Sequence, residues 1–318
     1  MRLVIAIGGN ALLEREQRPE AATQRANAVK AVEALAPLTA EHEIILTHAN
    51  GPQVGQLAAE GATDPELDMP YPLDVLGAQT QGMIGYWLLQ ALQNALPGRE
   101  VASLVDQTLV SAADVAFAAP NKPVGPAYDE ATARRMSAVR GWTVAPEGGH
   151  WRRLVPAPQP QRVVETRVLR QLITSGVVVV CAGGGGVPVI RNEDGDLEGV
   201  EAVIDMDLAT AVLAVSLEAD ALLLTDLPHV VRGAGTPAAE PIQRATPAAL
   251  RLEKFPLDSV SKVEAACRFV ETTGHLAAIG PVSEVGLLLE GKAGTIVTPD
   301  SHHSGSLDRT PHSHRTGR

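Results

Sequence analysis

The chain has 318 residues and a formal net charge of −11, with 45% hydrophobic residues but only 3% aromatic ones. That length allows one large α/β domain or two lobes, with Ala, Val and Leu filling the core. The acidic balance argues against a nucleic-acid or anionic-membrane surface, although a local basic pocket could still hold a phosphate. The N-terminus lacks the charged-apolar-small pattern of a leader, and no apolar run reaches bilayer length, so a cytoplasmic protein is expected. Cys181 and Cys267 sit in apolar contexts without metal-ligand spacing and read as reduced core residues, with no protein metal site.

Residues 3–7 form a short continuous apolar run, the pattern of a strand buried on both faces of a parallel sheet. The run ends abruptly in Gly8-Gly9-Asn10, where glycines allow a positive-φ turn and close approach of an anion to backbone N–H groups. An ordinary tight turn would explain one such junction, but similar ones recur. Residues 20–38 carry a helical stripe of Val29, Val32 and Leu35. Residues 43–47 are a second apolar strand that runs into His48-Ala49-Asn50-Gly51, again a turn and a helix start. Residues 61–73, rich in Pro and acid, read as a loop. Residues 79–96 form a strong helix with Ile84, Leu88, Ala91, Leu92 and Ala95 on one face, while Gly82 and Gly85 permit close packing against another helix. Residues 101–106 and the neighbourhood of Val110 suggest further β structure.

Residues 118–160 change character, with many prolines, a Gly148-Gly149 pair, Lys122 between proline turns, and the basic pairs Arg134-Arg135 and Arg152-Arg153. This stretch reads as a protruding flap with little repeated secondary structure. A helix over 163–175 and a buried strand over 176–181 lead into Ala182 and four consecutive glycines, Gly183 to Gly186. Four glycines carry a large entropy cost, and a backbone cradle for phosphate oxygens is a reason to accept it. Asp205-Met206-Asp207 opens a helix reaching Glu218, and either aspartate could be its N-cap. Residues 221–225 form another strand, ending in Asp226. A helix over 262–272 begins with a capping-box pattern, Ser261-Lys262-Val263-Glu264. Lys262 would then oppose the helix dipole, which points to a bound anion. Residues 277–279 and 295–297 are closing strands. The histidine-containing tail over 301–318 reads as disordered rather than as a metal site.

Taken together, Gly8-Gly9-Asn10-Ala11, the His48 to Gly55 segment, the Thr80 to Trp87 segment, Asn121 to Pro126, Trp151 to Pro158, Gly183 to Pro188 and Gly199 to Asp205 resemble carbamate kinase, in order along residues 1–299. The resemblance implies an α/β, three-layer αβα sandwich with an open, mostly parallel sheet, a small protruding subdomain and a homodimer. It implies reversible phosphoryl transfer between ATP and carbamate. Carbamate or carbamoyl phosphate would sit in an N-lobe of about 1–217, and ATP or ADP with Mg2+ in a C-lobe of about 218–299. On this resemblance Gly8, Gly9 and Asn10 would bind the transferred phosphoryl. Asn50 and Gly51 would face the carbamate, with Gly183, Gly184 and Gly185 supplying backbone donors. Asp207 would orient cations, Lys122 would reach in from the flap, and Thr225, Asp226 and Lys262 would meet the nucleotide.

Two departures from the family pattern stand out. Met206 occupies a position where the family usually has Lys, and Leu257 to Lys262 replaces a glycine-containing segment and adds Asp258. Both weaken phosphate handling. Alternative readings are therefore a related small-acid kinase, or a catalytically weak paralogue that binds nucleotide or carbamoyl phosphate.

Overall fold

The computed structural model describes residues 1–14, 16–64 and 66–300; the tail over 301–318 lies outside them. Eight strands form one sheet. From one edge to the other they are Arg244–Ala245, Thr295–Val297, Leu276–Gly280, Ala221–Thr225, Arg2–Ile7, Glu43–His48, Val178–Val180 and Val101–Ser103. Every neighbouring pair is parallel except Leu276–Gly280 with Thr295–Val297.

Strand side chains alternate between faces, and here both faces are apolar. Val4, Ala6, Ile45, Val179, Leu222 and Leu224 pack on one side with buried residues of the helices Thr166–Thr174, Met206–Ser216 and Leu257–Thr273. Leu3, Ile5, Ile7, Ile44, Leu46 and Leu223 pack on the other with the helices Ala21–Leu35 and Leu73–Ala95. This gives the expected three layers. Cys181 and Cys267 are buried free thiols within the first of these cores. No helix of the described residues is long and apolar enough to cross a membrane.

Several local expectations are corrected. The helix Ala21–Leu35 ends before Ala36, and a 3-10 turn over Ala36–Ala40 follows. Its buried face is Ala28, Ala31, Val32 and Leu35, while Val29 points to solvent. Residues 61–63 belong to the helix Gly51–Thr63, and the next helix starts at Leu73 rather than 79. Ala95 and Gly82 are exposed. Gly85 is tightly packed, but against a strand: a Cβ there would lie 2.2 Å from Ser103 Oγ.

The flap is an ordered structure of its own. Lys122–Tyr128, His150–Val155 and Thr143–Glu147 make a three-stranded antiparallel sheet with His150–Val155 in the centre. The helix Glu130–Arg140 crosses over, capped by Asp129 at its start and by Gly141 (φ +68°) at its end. Prolines are tolerated because Pro123, Pro126 and Pro146 lie on edge strands, and Gly125 (φ +80°) sits within a register shift between Val124 and Tyr128.

The helix read over 262–272 is longer than its sequence pattern indicates, running from Leu257 to Thr273. Ser261 is thus inside the helix and forms no capping box. Lys262 lies in the second turn, so the dipole argument for it does not hold.

Candidate active site

Because the inner strands are parallel and in register, their carboxyl ends emerge together. Ile7 pairs with His48, Leu46 with Val180, and Ala6 with Leu224. The turns that follow, at Gly8, Ala49, Cys181 and Asp226, therefore crowd one edge, which is where open α/β sheets bind ligands. The flap leans over it. A cleft of about 690 Å³ opens between them, a volume typical of small-molecule sites.

Gly9 lines this cleft, with Gly8 and Asn10 on either side of it in the chain. Gly8 has φ −69°, so its glycine is not required by a left-handed turn. Close approach is the reason. A Cβ at Gly8 would lie 2.3 Å from Asp226 Cβ and 2.5 Å from Thr225 O. The Gly8 N–H donates to Thr225 Oγ1 (3.2 Å), and the Asn10 N–H donates to Asp226 Oδ1 (2.9 Å). Thr225 is completely buried beneath this junction, whereas Asp226 lines the cleft with a positive φ of 136°.

Asn50 and Gly51 both line the cleft at the start of the helix Gly51–Thr63. The Asn50 amide donates to Thr80 Oγ1 at 2.9 Å, which fixes its orientation. The glycine loop faces it. Gly184, Gly185 and Gly186 all have positive φ, between 62° and 91°. A Cβ at Gly184 would strike the Asn50 amide at 2.1 Å, and one at Gly183 would lie 2.4 Å from the His48 ring. Gly184 and Gly186 line the cleft, while Gly183 and Gly185 are buried behind it. His48 is enclosed, and burial lowers its pKa to about 4, so the ring is neutral at physiological pH.

Asp205 is the N-cap of the helix Met206–Ser216. Its Oδ1 accepts from the N–H groups of Asp207 (3.1 Å) and Leu208 (3.3 Å). Its other oxygen accepts from Ser261 Oγ at 2.6 Å and from Lys122 Nζ at 3.4 Å. Asp205 therefore ties together the flap, this helix and the helix Leu257–Thr273. Asp207 does something different. Lys262 Nζ donates to its two oxygens at 2.9 and 3.1 Å, and the residues are only 4% and 8% exposed. Burial pushes the Asp207 carboxyl pKa up, against the pull of Lys262, and Asp205 and Asp226 add to the rise.

The Met206 side chain turns toward the floor of the cleft. Its sulfur meets the buried hydroxyls of Thr210 (3.4 Å) and Thr47 (3.7 Å), which also bond to each other at 2.8 Å. Arg152 lines the cleft from the flap, with its Nε buried and without a partner; as one of a basic pair it was indistinguishable by sequence from a surface arginine. Arg153, its neighbour, instead pairs with Glu201 and stacks over Trp142, 4.4 Å from the ring centroid. Charged groups on the lining are Lys122, Arg152 and Lys262 against Asp205, Asp207, Asp226 and Asp258.

The arrangement is one of positioning. Backbone turns, an amide and ammonium groups surround a concave space, and among the described residues on its lining no nucleophile–base pair is formed. Such a site suits phosphoryl transfer, in which alignment and charge stabilisation supply most of the catalysis.

The chain belongs to the amino acid kinase family, whose family model matches residues 1–280. It is 47% identical over 304 residues to the carbamate kinase of Rhizobium meliloti, covering 94% of this chain and 93% of that one. It is 44% identical over 302 residues to the carbamate kinase of Haemophilus influenzae, covering 94% and 97%. The solved structure of carbamate kinase from Giardia lamblia bound to AMP-PNP superposes with a TM-score of 0.85 at 34% identity, covering 94% of this chain and 98% of that one. Within the amino acid kinase family, the chain is a member of the carbamate kinases.

Proposed function

We propose that this chain catalyses reversible phosphoryl transfer between carbamoyl phosphate and ADP, giving ATP and carbamate. The observation that carries the reading is convergence. Gly9, Asn50, Gly184, Lys122, Asp207 and Lys262 come from six separate segments and line one cleft at the carboxyl edge of one sheet. Carbamoyl phosphate would occupy the side formed by Asn50, Gly51 and the flap, in an N-lobe of about 1–217. The nucleotide would occupy the side formed by Asp226, Asp258 and Lys262, in a C-lobe of about 218–299.

Each residue then has a part. Gly8 and Asn10 direct their N–H groups to Thr225 and Asp226 and so hold Gly9 between them; Gly9 and Gly184 would present backbone N–H dipoles to the moving phosphoryl. An ammonium carries three donors, so Lys262 can hold Asp207 and still offer a hydrogen to a phosphoryl oxygen. Lys122 would approach from the flap as the cleft fills. Asp207 orients Lys262 rather than removing a proton, since carbamate attacks through an oxygen that is already anionic.

Magnesium fits this donor set as a passenger on the nucleotide. Among the described residues no cluster of three or more His, Cys, Asp or Glu could hold a metal by itself. Mg2+ commonly relies on one or two carboxylates plus substrate phosphates, and Asp205, Asp226 and Asp258 lie on the lining. When bound, it would offset phosphate charge in a cleft whose own lining is not strongly basic.

The test is formation of ATP by the purified full chain from carbamoyl phosphate, ADP and magnesium. Absence of turnover alongside firm ADP binding would favour the second reading, a weak paralogue that binds nucleotide. The apolar Met206 on the cleft floor is the observation on its side. A homodimer and a cytoplasmic location are part of the same proposal; sedimentation of the full chain tests the first, and fractionation of the source cells the second.

A further inference from the structure

Asp106 lies outside the cleft and has no part in the proposed chemistry, yet it holds both ends of the loop that faces the substrate. It follows the strand Val101–Ser103 and is completely buried. The N–H of Ala182 donates to both of its carboxylate oxygens, at 3.0 and 2.8 Å. The N–H of Val187 donates to its backbone carbonyl at 2.9 Å. Between these anchors run Gly183, Gly184, Gly185 and Gly186. Asp106 is itself gripped by Gln81, which accepts its N–H at 3.0 Å and donates to its carbonyl at 3.1 Å.

The side-chain half of this clasp holds a strained residue. Ala182 has φ +48°, a left-handed conformation that disfavours residues with a Cβ. The Ala182 N–H, shared between the two carboxylate oxygens, makes a charge-assisted hydrogen bond that favours this conformation. The loop it launches contains Gly184 and Gly186, which line the cleft.

We propose that Asp106 is a positioning residue whose carboxylate holds the Ala182 end of the loop over residues 182–187 and so sets where Gly184 meets the phosphoryl group. The identity of that ligand rests on the kinase reading; the clasp itself does not.

The clasp is poised to respond to pH. Burial pushes the Asp106 carboxyl up to about 7, opposed by the Ala182 N–H and reinforced by Glu165. The titratable groups facing it are Glu165, at the start of the neighbouring helix, and the buried Cys181; His48 packs on Gly183 but stays neutral. Protonation converts one acceptor oxygen into a hydroxyl, leaving Ala182 with a single acceptor.

Asp106→Asn preserves shape and removes one acceptor at every pH. Amide hydrogen exchange over residues 181–187 of the full chain, corrected for chemical exchange, should lose about tenfold protection in Asp106→Asn at pH 8. The unaltered protein should lose protection between pH 8 and pH 6, a comparison that survives if the variant fails to fold. In turnover, Asp106→Asn should raise KM for carbamoyl phosphate about tenfold, leave KM for ADP within about twofold, and lose the change in kcat/KM across pH 7. Unchanged exchange in either comparison, or an unchanged KM and pH profile in an active variant, overturns the proposal. If the unaltered chain makes no ATP, the kinase reading fails while the exchange result still decides the role of Asp106.

Discussion

Lys262 and Asp207 form an ion pair, 2.9 Å at its closest, across two helices and almost out of contact with water. Each charge is tolerable there only because of the other. Removing one partner of a buried pair typically costs about 3–5 kcal/mol, because the survivor stays buried and uncompensated. Lys262→Met should therefore lower both stability and turnover. Adding Asp207→Leu should recover much of the stability and none of the turnover. Urea unfolding beside an ATP-formation assay separates the two effects, and stability that stays low in the double variant would deny that the pair is the cause.

Lys122 behaves in the opposite way. Its side chain is 48% exposed and its contact with Asp205 is long, at 3.4 Å. Exposed pairs of this kind contribute about 0–1 kcal/mol. Lys122→Ala should leave the unfolding midpoint nearly unchanged while cutting kcat at least tenfold, on the scale of charge-supplying groups in phosphoryl transfer. Activity close to that of the unaltered chain would remove Lys122 from the machinery.

Much of this site was legible before the fold was known. Buried parallel strands are continuous apolar runs, and residues 3–7, 43–47 and 221–225 each end at a junction that proved to lie on the cleft edge. The reasons for the glycines were less legible. Gly8 is needed because Asp226 and Thr225, more than two hundred residues later in the chain, press against it; local pattern carries no trace of that contact. The pattern at Ser261 to Glu264 suggests a helix start that would make Lys262 conspicuous, but the helix starts at Leu257 and what fixes Lys262 is a carboxylate on another helix. The flap strands are not legible in sequence because proline suppresses strand signals even where, on an edge, the fold accepts it. Asp106 gave no signal beyond being a polar residue at the end of an apolar stretch.

Met206 offers the sharpest contrast with the family pattern. Its sulfur rests near two hydroxyls, Thr47 and Thr210, that already bond to each other. A lysine there would find those hydroxyl oxygens within reach and could extend its ammonium along the cleft floor, adding a cation beside Lys262 and Lys122. Met206→Lys should raise the rate of ATP formation from carbamoyl phosphate severalfold while changing ADP affinity little. A marked fall in rate would show that the thioether now serves this chain's own chemistry.

Asp106 and His48 make opposite contributions to the pH dependence of stability. The Asp106 pKa is raised from 3.8 to about 7 in the folded chain, so its stabilising contribution is full below the unfolded value and is lost as pH rises toward 7. The His48 pKa is lowered from 6.5 to about 4, so its contribution is full above 6.5 and is lost as pH falls toward 4. Each slope approaches about 1.4 kcal/mol per pH unit where one proton separates the folded and unfolded states. Between pH 4.5 and 6 the two largely cancel. Unfolding free energies of the unaltered chain minus those of Asp106→Asn should therefore fall with rising pH across this window. The same difference taken against His48→Asn should rise. Parallel curves for the unaltered chain and either variant would show that the missing group does not titrate differently on folding.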